Sequence, residues 1–285
     1  MDFLIIQTFN GVSYGAIIFL IASGLTIIFG VMDIVNLAHA AYYLLGGYIA
    51  ITVIRLTNNF YLGILCGTLA GVVVAIVMER FFLRVLGGKL LAQVLITAGF
   101  YFFFEDLCLA IWGGDPQWVK APEYLSECLI CGTLSFPIFR IFLIAVAVGV
   151  GLGLWLFLEK TRFGAKLRAS VDDREMAQGV GIKLSTIYAT AFGLGGGLAA
   201  ISGILGSAYL SVYPAFGFEI LIYAFVAVII GGLGSLRGAF VGAMLLGLID
   251  NFGKALFPQI SYFSLYAPMA VILAIRPTGL FGKAT

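Results

Sequence analysis

The chain has 285 residues, of which 62% are hydrophobic and 11% charged, with a mean hydropathy of +1.10. Soluble globular domains carry about a quarter charged residues, so water is excluded as the main solvent. A formal net charge of +2 is too small and too dispersed for a nucleic-acid partner, and four cysteines do not make a disulfide scaffold.

Uncharged stretches follow one another at residues 3–32, 34–54, 57–78, 90–104, 141–158, 184–218, 220–236, 238–249 and 255–275. Most approach the ~20 residues that a helix needs to cross a hydrocarbon core about 30 Å thick. Alternation of polar and apolar residues is absent, so the backbone is expected to be satisfied within helices and not in a barrel. The expected fold is all-α, a polytopic transmembrane bundle forming one domain over 1–285. It would have eight or nine segments, some broken or re-entrant, in two related halves. The first stretch has Asp2 where a secretory signal needs a basic residue, and it exceeds the length of a signal core, so it is read as a retained helix.

Lys and Arg cluster in two connections, first Arg80, Arg84 and Lys89, then Lys160, Arg162, Lys166, Arg168, Arg174 and Lys183. The positive-inside rule puts both in the cytoplasm. The connection between them, with 113–137 as its external loop, holds Glu105, Asp106, Asp115, Glu123 and Glu127 against a single Lys120, with Trp112 and Trp118 as interfacial aromatics. Arg276 and Lys283 place the C-terminus inside. Nine crossings put the N-terminus outside, whereas a re-entrant segment leaves eight.

The 37 glycines include pairs four apart at Gly67/Gly71, Gly149/Gly153, Gly193/Gly197 and Gly238/Gly242, a spacing that lets helix backbones approach closely. For each pair singly, packing is the reading. Two regions interrupt the apolar pattern more sharply. Gly30 to His39 places an acid, Asp33, and the only histidine between two apolar stretches, and Tyr213 to Glu219 opens a stretch that breaks at Gly231-Gly232-Leu233-Gly234-Ser235. Broken helices in corresponding parts of two halves mark a transporter's pathway.

Asn36-Leu37-Ala38-His39-Ala40 resembles the Asn-hydrophobic-Ala-His-Gly motif of permeases in branched-chain amino-acid ABC importers, with Ala40 in place of the usual glycine. Arg162 to Ala169, with Asp172-Asp173-Arg174-Glu175-Met176-Ala177 and Gly181-Ile182, resembles that family's cytoplasmic coupling segment. Ile230 to Ser235 with Gly238-Ala239 resembles its C-terminal Gly-rich signature. The order and spacing agree over nearly the whole chain, and the resemblance is strongest to the shorter of that system's two permease types.

The resemblance implies a permease domain in the bacterial inner membrane and a solute pathway between two homologous permease subunits. It also implies two cytoplasmic ATPase subunits and an extracytoplasmic solute-binding protein. Asn36, His39, Tyr42, Tyr43 and Tyr213 are the candidates for the pathway; Arg168, Asp172 and Glu175 are those for coupling to the ATPase, within a segment spanning 159–183. Val171, Met176, Ala177 and Val180 could fill a partner's groove, although a plain solvated loop would have the same composition.

No Gly-x-x-x-x-Gly-Lys-[Ser/Thr] loop occurs; Gly87-Gly88-Lys89, Gly253-Lys254 and Gly282-Lys283 lack its other residues. No cofactor is expected, ATP being bound by partner subunits, and the chain is not expected to be an enzyme. Gly195-Gly196-Gly197 fits a relaxed dinucleotide fingerprint but lies in an apolar helix without a preceding strand, so it is read as a packing face. A lone histidine without carboxylates at metal spacing argues against a metal or catalytic base. His39 is read as a structural hydrogen bond fixing the break, with pathway lining second. Asp33 and Asn36 are expected near a helix N-terminus, where orphan N–H groups accept an oxygen partner, and Glu219 and Asp250 near helix ends, because an uncompensated charge in the membrane costs about 3 kcal/mol. Cys128 and Cys131 suit a local disulfide or two inert thiols. A secondary transporter or channel is the alternative, disfavoured by the scarcity of acids at membrane depth, and an intramembrane enzyme lacks any credible triad or His-Glu-x-x-His.

Overall fold

The computed structural model describes residues 1–32, 34–87, 89–131, 134–260 and 263–282, with Cys131 as backbone alone. Among them, nine apolar helices correspond one for one to the nine apolar stretches. Seven are long and apolar enough to cross a membrane: α1 (Asp2–Met32), α2 (His39–Thr57), α3 (Phe60–Met78), α4 (Leu90–Trp112), α6 (Ile138–Lys160), α9 (Leu184–Tyr209) and α11 (Leu236–Leu256). Two are shorter, α10 (Phe216–Gly231) and α12 (Phe263–Ile275). The remaining short helices are α5 (Glu123–Ser126), α7 (Arg162–Asp172) and α8 (Arg174–Gly179), and an antiparallel hairpin, β1 (Cys128–Cys131) with β2 (Leu134–Pro137), follows α5.

Close contacts fix the direction of each helix. Gly11 meets Leu248 and Gly15 meets Met244, so α1 and α11 run antiparallel; Ser202 donates to the Ile17 carbonyl while Gly24 meets Gly195, so α1 and α9 do too. Successive apolar helices alternate, which puts the N-terminus at the end opposite Arg80, Arg84 and α7, as in the nine-segment expectation. The two halves are visible in the packing. α1 against α11 mirrors α9 against α3, α2 against α3 mirrors α10 against α11, and α2 against α4 mirrors α10 against α12. Five crossings separate the start of α1 from the start of α9, so the repeats α1–α4 and α9–α12 are inverted relative to each other.

α1 is the hub, its residues from Ala16 to Ala22 at most 1% exposed. Lipid provides no hydrophobic drive between helices, so close backbone approach must supply the packing energy. Gly67 and Gly71 meet the Gly46 and Gly196 carbonyls, Gly193 and Gly197 meet Ile76 and Val72, and Gly242 meets Ala227. The triple glycine packs as read: Gly195 against Gly24 and Gly196 against Gly71. Gly149 and Gly153 are an exception, because a Cβ on either would touch nothing within 4 Å; α6 turns that face outward and uses Gly151 against Phe19.

Glu105 and Asp106, grouped by charge with the acidic connection, lie inside α4, which ends at Trp112 just before the expected external loop at 113. They fall within two turns of its end at Trp112, about 10 Å away, where long polar side chains reach the interface. The loop that follows is tied down at several points. Trp112 Nε1 donates to Thr52 Oγ1 (2.8 Å) and its ring stacks on Tyr48, while Gln117 and Val212 exchange backbone hydrogen bonds (2.9 and 2.8 Å). Cys128 is an exposed free thiol.

Candidate functional site

The break between α1 and α2 is set deep in the bundle. The Leu37 N–H donates to Thr97 Oγ1 (3.3 Å), seven residues into α4 and so about 10 Å from its start. Non-helical backbone at such depth persists only where protein covers it, and Ile34, Asn36, Ala38 and His39 are no more than 2% exposed. Asp33 lies outside the described residues.

His39 opens α2 and turns back onto α1, with Nε2 3.0 Å from the Ile21 carbonyl oxygen. A carbonyl can only accept, so Nε2 carries the proton and donates. The ring fits because Gly24 lies beneath it: a Cβ there would come within 3.0 Å of the imidazole and 2.6 Å of the Gly195 carbonyl. Tyr42 donates from its hydroxyl to Met78 Sδ (2.9 Å) and meets the His39 ring edge-on. Tyr43 presses its backbone carbonyl against Gly203 and its hydroxyl against Gly206, where any Cβ would collide.

Four of the five pathway candidates, Asn36, His39, Tyr42 and Tyr43, are thus gathered at one break and fully enclosed. Tyr213 lies apart, partly exposed after α9. Phe216 bridges the two groups, its ring 6.1 Å from Tyr43 and 5.3 Å from Tyr213. The Tyr213 hydroxyl donates to Glu219 (3.2 Å), and burial together with that carboxylate raises its pKa above the usual tyrosine value.

Asn36 does not cap α2 as expected. The cap position belongs to Ala38, which has no side chain to offer, and the first turn closes through backbone bonds from His39 to Asn36 and from Ala41 to Ala38 (3.4 and 2.9 Å). Both polar atoms of the Asn36 amide, His39 Nδ1, Thr26 Oγ1 and the Tyr43 hydroxyl are buried without a hydrogen bond. Buried polar atoms are rarely left so, and their concentration around the break sets this region apart from ordinary core. Sequence reasoning missed Thr97, Met78, Gly203 and Gly206, the counterparts that hold the break; only the small-residue content of α9 hinted at two of them.

The Gly-rich signature has a concrete role in the fold. The α10 helix ends at Gly231, and Gly232 takes φ 103°, a left-handed conformation that favours glycine. The C-terminal segment then folds back, and the Leu280 and Phe281 N–H groups donate to the Ile230 and Gly231 carbonyls (2.9 Å each), satisfying acceptors at the helix end. Gly234 of the same turn lies against Gly30 near the end of α1.

The segment 159–183 forms two short helices. Thr161 caps α7 through the Gly164 N–H (3.2 Å) and Asp173 caps α8 through the Met176 N–H (2.9 Å). Val171, Met176 and Val180 are 45%, 66% and 70% exposed, whereas Ala177, expected among the outward residues, is buried at 3% because it sits on the face of α8 toward the bundle. Arg168 stays 47% exposed while donating to the Leu158 carbonyl and pairing with Glu159 at 3.6 Å. Asp172 and Glu175 are exposed.

Among the described residues, the two buried acids, Glu79 and Asp250, are both paired. Glu79 accepts from Arg84 (2.8 Å), and Asp250 accepts from Lys254 (2.6 Å), Tyr223 (3.2 Å) and Ser264 (3.3 Å), six residues before the end of α11. Glu219 is exposed in the first turn of α10.

The sequence matches a family model described as the permease component of branched-chain amino acid transport systems over residues 7–275. It is 31% identical to the high-affinity branched-chain amino acid transport system permease protein BraD of Pseudomonas aeruginosa, over 97% of this chain and 95% of that one. The LivH permease proteins of Escherichia coli and Methanocaldococcus jannaschii are 29% and 28% identical, over 97% and 96% of this chain and 95% and 91% of theirs. In structure the chain resembles one in PsaBC from Streptococcus pneumoniae in complex with Fab, with a TM-score of 0.52 and 11% identity, over 93% of this chain and 89% of that one. At that identity the likeness is one of fold.

Proposed function

The chain belongs to the family of branched-chain amino acid transport permease components, and from that premise we propose that it carries a branched-chain amino acid, or a small polar solute of similar size, across a bacterial inner membrane in an ATP-driven importer. The observation that carries this is the match of one permease model to residues 7–275, on a fold whose two halves are inverted repeats with helix breaks.

Its partners, on this reading, are a second permease subunit, two ATPase subunits and an external binding protein. ATP is bound by the partners, consistent with the missing phosphate loop. The basic end faces the cytoplasm. There, α7 and α8 offer Val171, Met176 and Val180 as an apolar knob, with Asp172 and Glu175 as its polar rim, and Arg168 holds the knob against the end of α6. Asn36, His39, Tyr42 and Tyr43 reach the solute only when the α1–α2 break parts from α9, and Tyr213 stands nearer the opposite mouth. Substrate choice is shared with the binding protein.

The test is reconstitution. The chain with its second permease, ATPases and binding protein in liposomes should take up radiolabelled leucine only with ATP inside the nucleotide-accessible side, and the chain alone should hydrolyse no ATP. Leucine uptake by the chain alone, driven by an ion gradient, would move it to the secondary transporters.

A further inference from the structure

An open cavity of about 650 Å³ forms a lateral groove between α3 and α9 that the break and the coupling segment do not use. Its walls are apolar along most of their length, with Val72 and Ile76 from α3 and Leu194 and Leu198 from α9. It extends along α3 from Thr68 to Arg80, which is twelve residues or about 18 Å of helix. That is close to one leaflet, half of a hydrocarbon core about 30 Å thick. The flank beside it, Leu65, Leu69 and Val73, is more than half exposed at each position, as a face toward acyl chains would be.

At its basic end the groove changes character. Arg80 and Arg84 close it on the α3 side, and Ser185 and Thr186, in the first turn of α9, close it on the other. Arg84 is committed in part to Glu79 and to the Ser185 carbonyl (3.1 Å), but Arg80 is exposed and has no ion pair among the described residues. No side chain caps the start of α9, so its partial positive charge adds to that of the guanidinium. One end is therefore suited to a phosphate and the rest, over the depth of one leaflet, to a hydrocarbon chain.

We propose that this groove seats one anionic phospholipid of the leaflet at the basic end, its headgroup phosphate on Arg80, Arg84 and Ser185 and one acyl chain along Val72, Ile76, Leu194 and Leu198. The lipid bridges the two repeats, since α3 belongs to the first and α9 to the second. A zwitterionic lipid would fit the same slot but gain less from the Arg80 guanidinium.

The probe is native mass spectrometry of the purified permease–ATPase complex released from vesicles of equal parts phosphatidylglycerol and phosphatidylcholine. Wild type should retain phosphatidylglycerol in preference to phosphatidylcholine. Arg80→Gln should weaken its retention about fivefold, the ~1 kcal/mol of one basic side chain at an anionic surface, while Arg80→Lys should keep most of it. Thr190→Trp, which fills the slot with both arginines in place, should abolish retention. Arg80→Gln alters an exposed side chain and leaves the packing alone, so the proposal stays testable even if the filling variant does not fold. Equal retention of the two lipids by wild type, or phosphatidylglycerol retention unchanged in Arg80→Gln, would overturn it. So would a disulfide between two copies carrying Ala189→Cys, which would give the groove to a second protein.

Discussion

Removing the arginine of the Glu79–Arg84 pair should be among the most damaging single changes at the basic end of the bundle. Glu79 is 0% exposed, and its two oxygens accept three N–H bonds from Arg84 at 2.8 to 3.2 Å. The pairing depends on local backbone. Residues five apart on an α-helix point about 140° away from each other, but α3 continues into a π-turn over Glu79–Leu83 in which the Arg84 N–H bonds to the Glu79 carbonyl, and the wider turn swings the two side chains to one side. Breaking a buried pair by deleting one partner costs about 3–5 kcal/mol, because it strands the other charge. Arg84 is 38% exposed, so water can partly replace it, and the low end, about 3 kcal/mol, is expected for Arg84→Met. Replacing both, Glu79→Met with Arg84→Met, should be nearly neutral, giving a coupling energy of at least 2 kcal/mol. Unfolding of the detergent-purified chain in graded SDS measures this directly, since 3 kcal/mol is a factor of over one hundred in the equilibrium constant, about 1.4 kcal/mol per tenfold. Additive effects, or a loss below about 0.5 kcal/mol for Arg84→Met, would mean that the pair behaves as a surface salt bridge and would refute the reasoning.

Four other outcomes follow from the same geometry. Gly203→Ala drives a Cβ into the Tyr43 carbonyl and should cost at least 1–3 kcal/mol as α2 and α9 separate, whereas Gly149→Ala, which meets nothing within 4 Å, should be neutral or stabilise by up to about 1 kcal/mol; thermal denaturation compares the two. His39→Ala should cost about 1–3 kcal/mol through the lost bond to Ile21, and His39→Gln, which keeps a donor, should recover part of that in the same assay. Met176→Asp should leave membrane insertion intact and lower both uptake and ATPase stimulation; normal transport would remove α8 from the docking surface. Membrane-impermeant maleimide on intact spheroplasts should label Cys128 but not Val171→Cys, and the reverse pattern would invert the proposed orientation.

Much of this fold is legible in the sequence because lipid imposes a single rule, that backbone groups be satisfied locally, and the nine apolar runs obey it. At α4 the uncharged stretch ends at Phe104, yet apolar residues on both sides of Glu105 and Asp106 carry the helix on to Trp112, where the external loop was expected to begin. The break at Asn36-Leu37-Ala38-His39 was legible as a break. Its supports were not, because Thr97, Met78 and Gly203 lie 60, 36 and 160 residues away from their partners Leu37, Tyr42 and Tyr43 in the chain, and a single sequence carries no record of such pairings. The contacts of Arg168 were illegible for a related reason: a basic residue in a basic loop looks free until the end of α6 is seen beside it. The π-turn that brings Arg84 to Glu79 has no residue signature of its own, since Glu-Arg-Phe-Phe-Leu suits an α-helix equally well.

Two inverted halves have, by themselves, no preferred direction across a membrane. The repeat relates the break after α1, near the basic end, to the break after α9, at the opposite end, and the Tyr43–Phe216–Tyr213 contacts run from one to the other through the bundle. A displacement that opens one break therefore acts on an aromatic contact that belongs to the second. Direction must come from what the repeats do not share. The unrepeated parts are α5 with the β1–β2 hairpin at one end and α7 with α8 at the other, joined by the single helix α6. The hairpin end carries acids and aromatics, and the α7–α8 end carries the basic residues and the exposed Val171, Met176 and Val180. Arg168 fastens α7 to the last turn of α6 through Leu158 and Glu159, so a push on α7 is delivered to α6 and, through Gly151 against Phe19, to α1, whose far end leads into the break. On the proposed reading this is how ATP-driven motion at one end of an otherwise symmetric core acquires a sign.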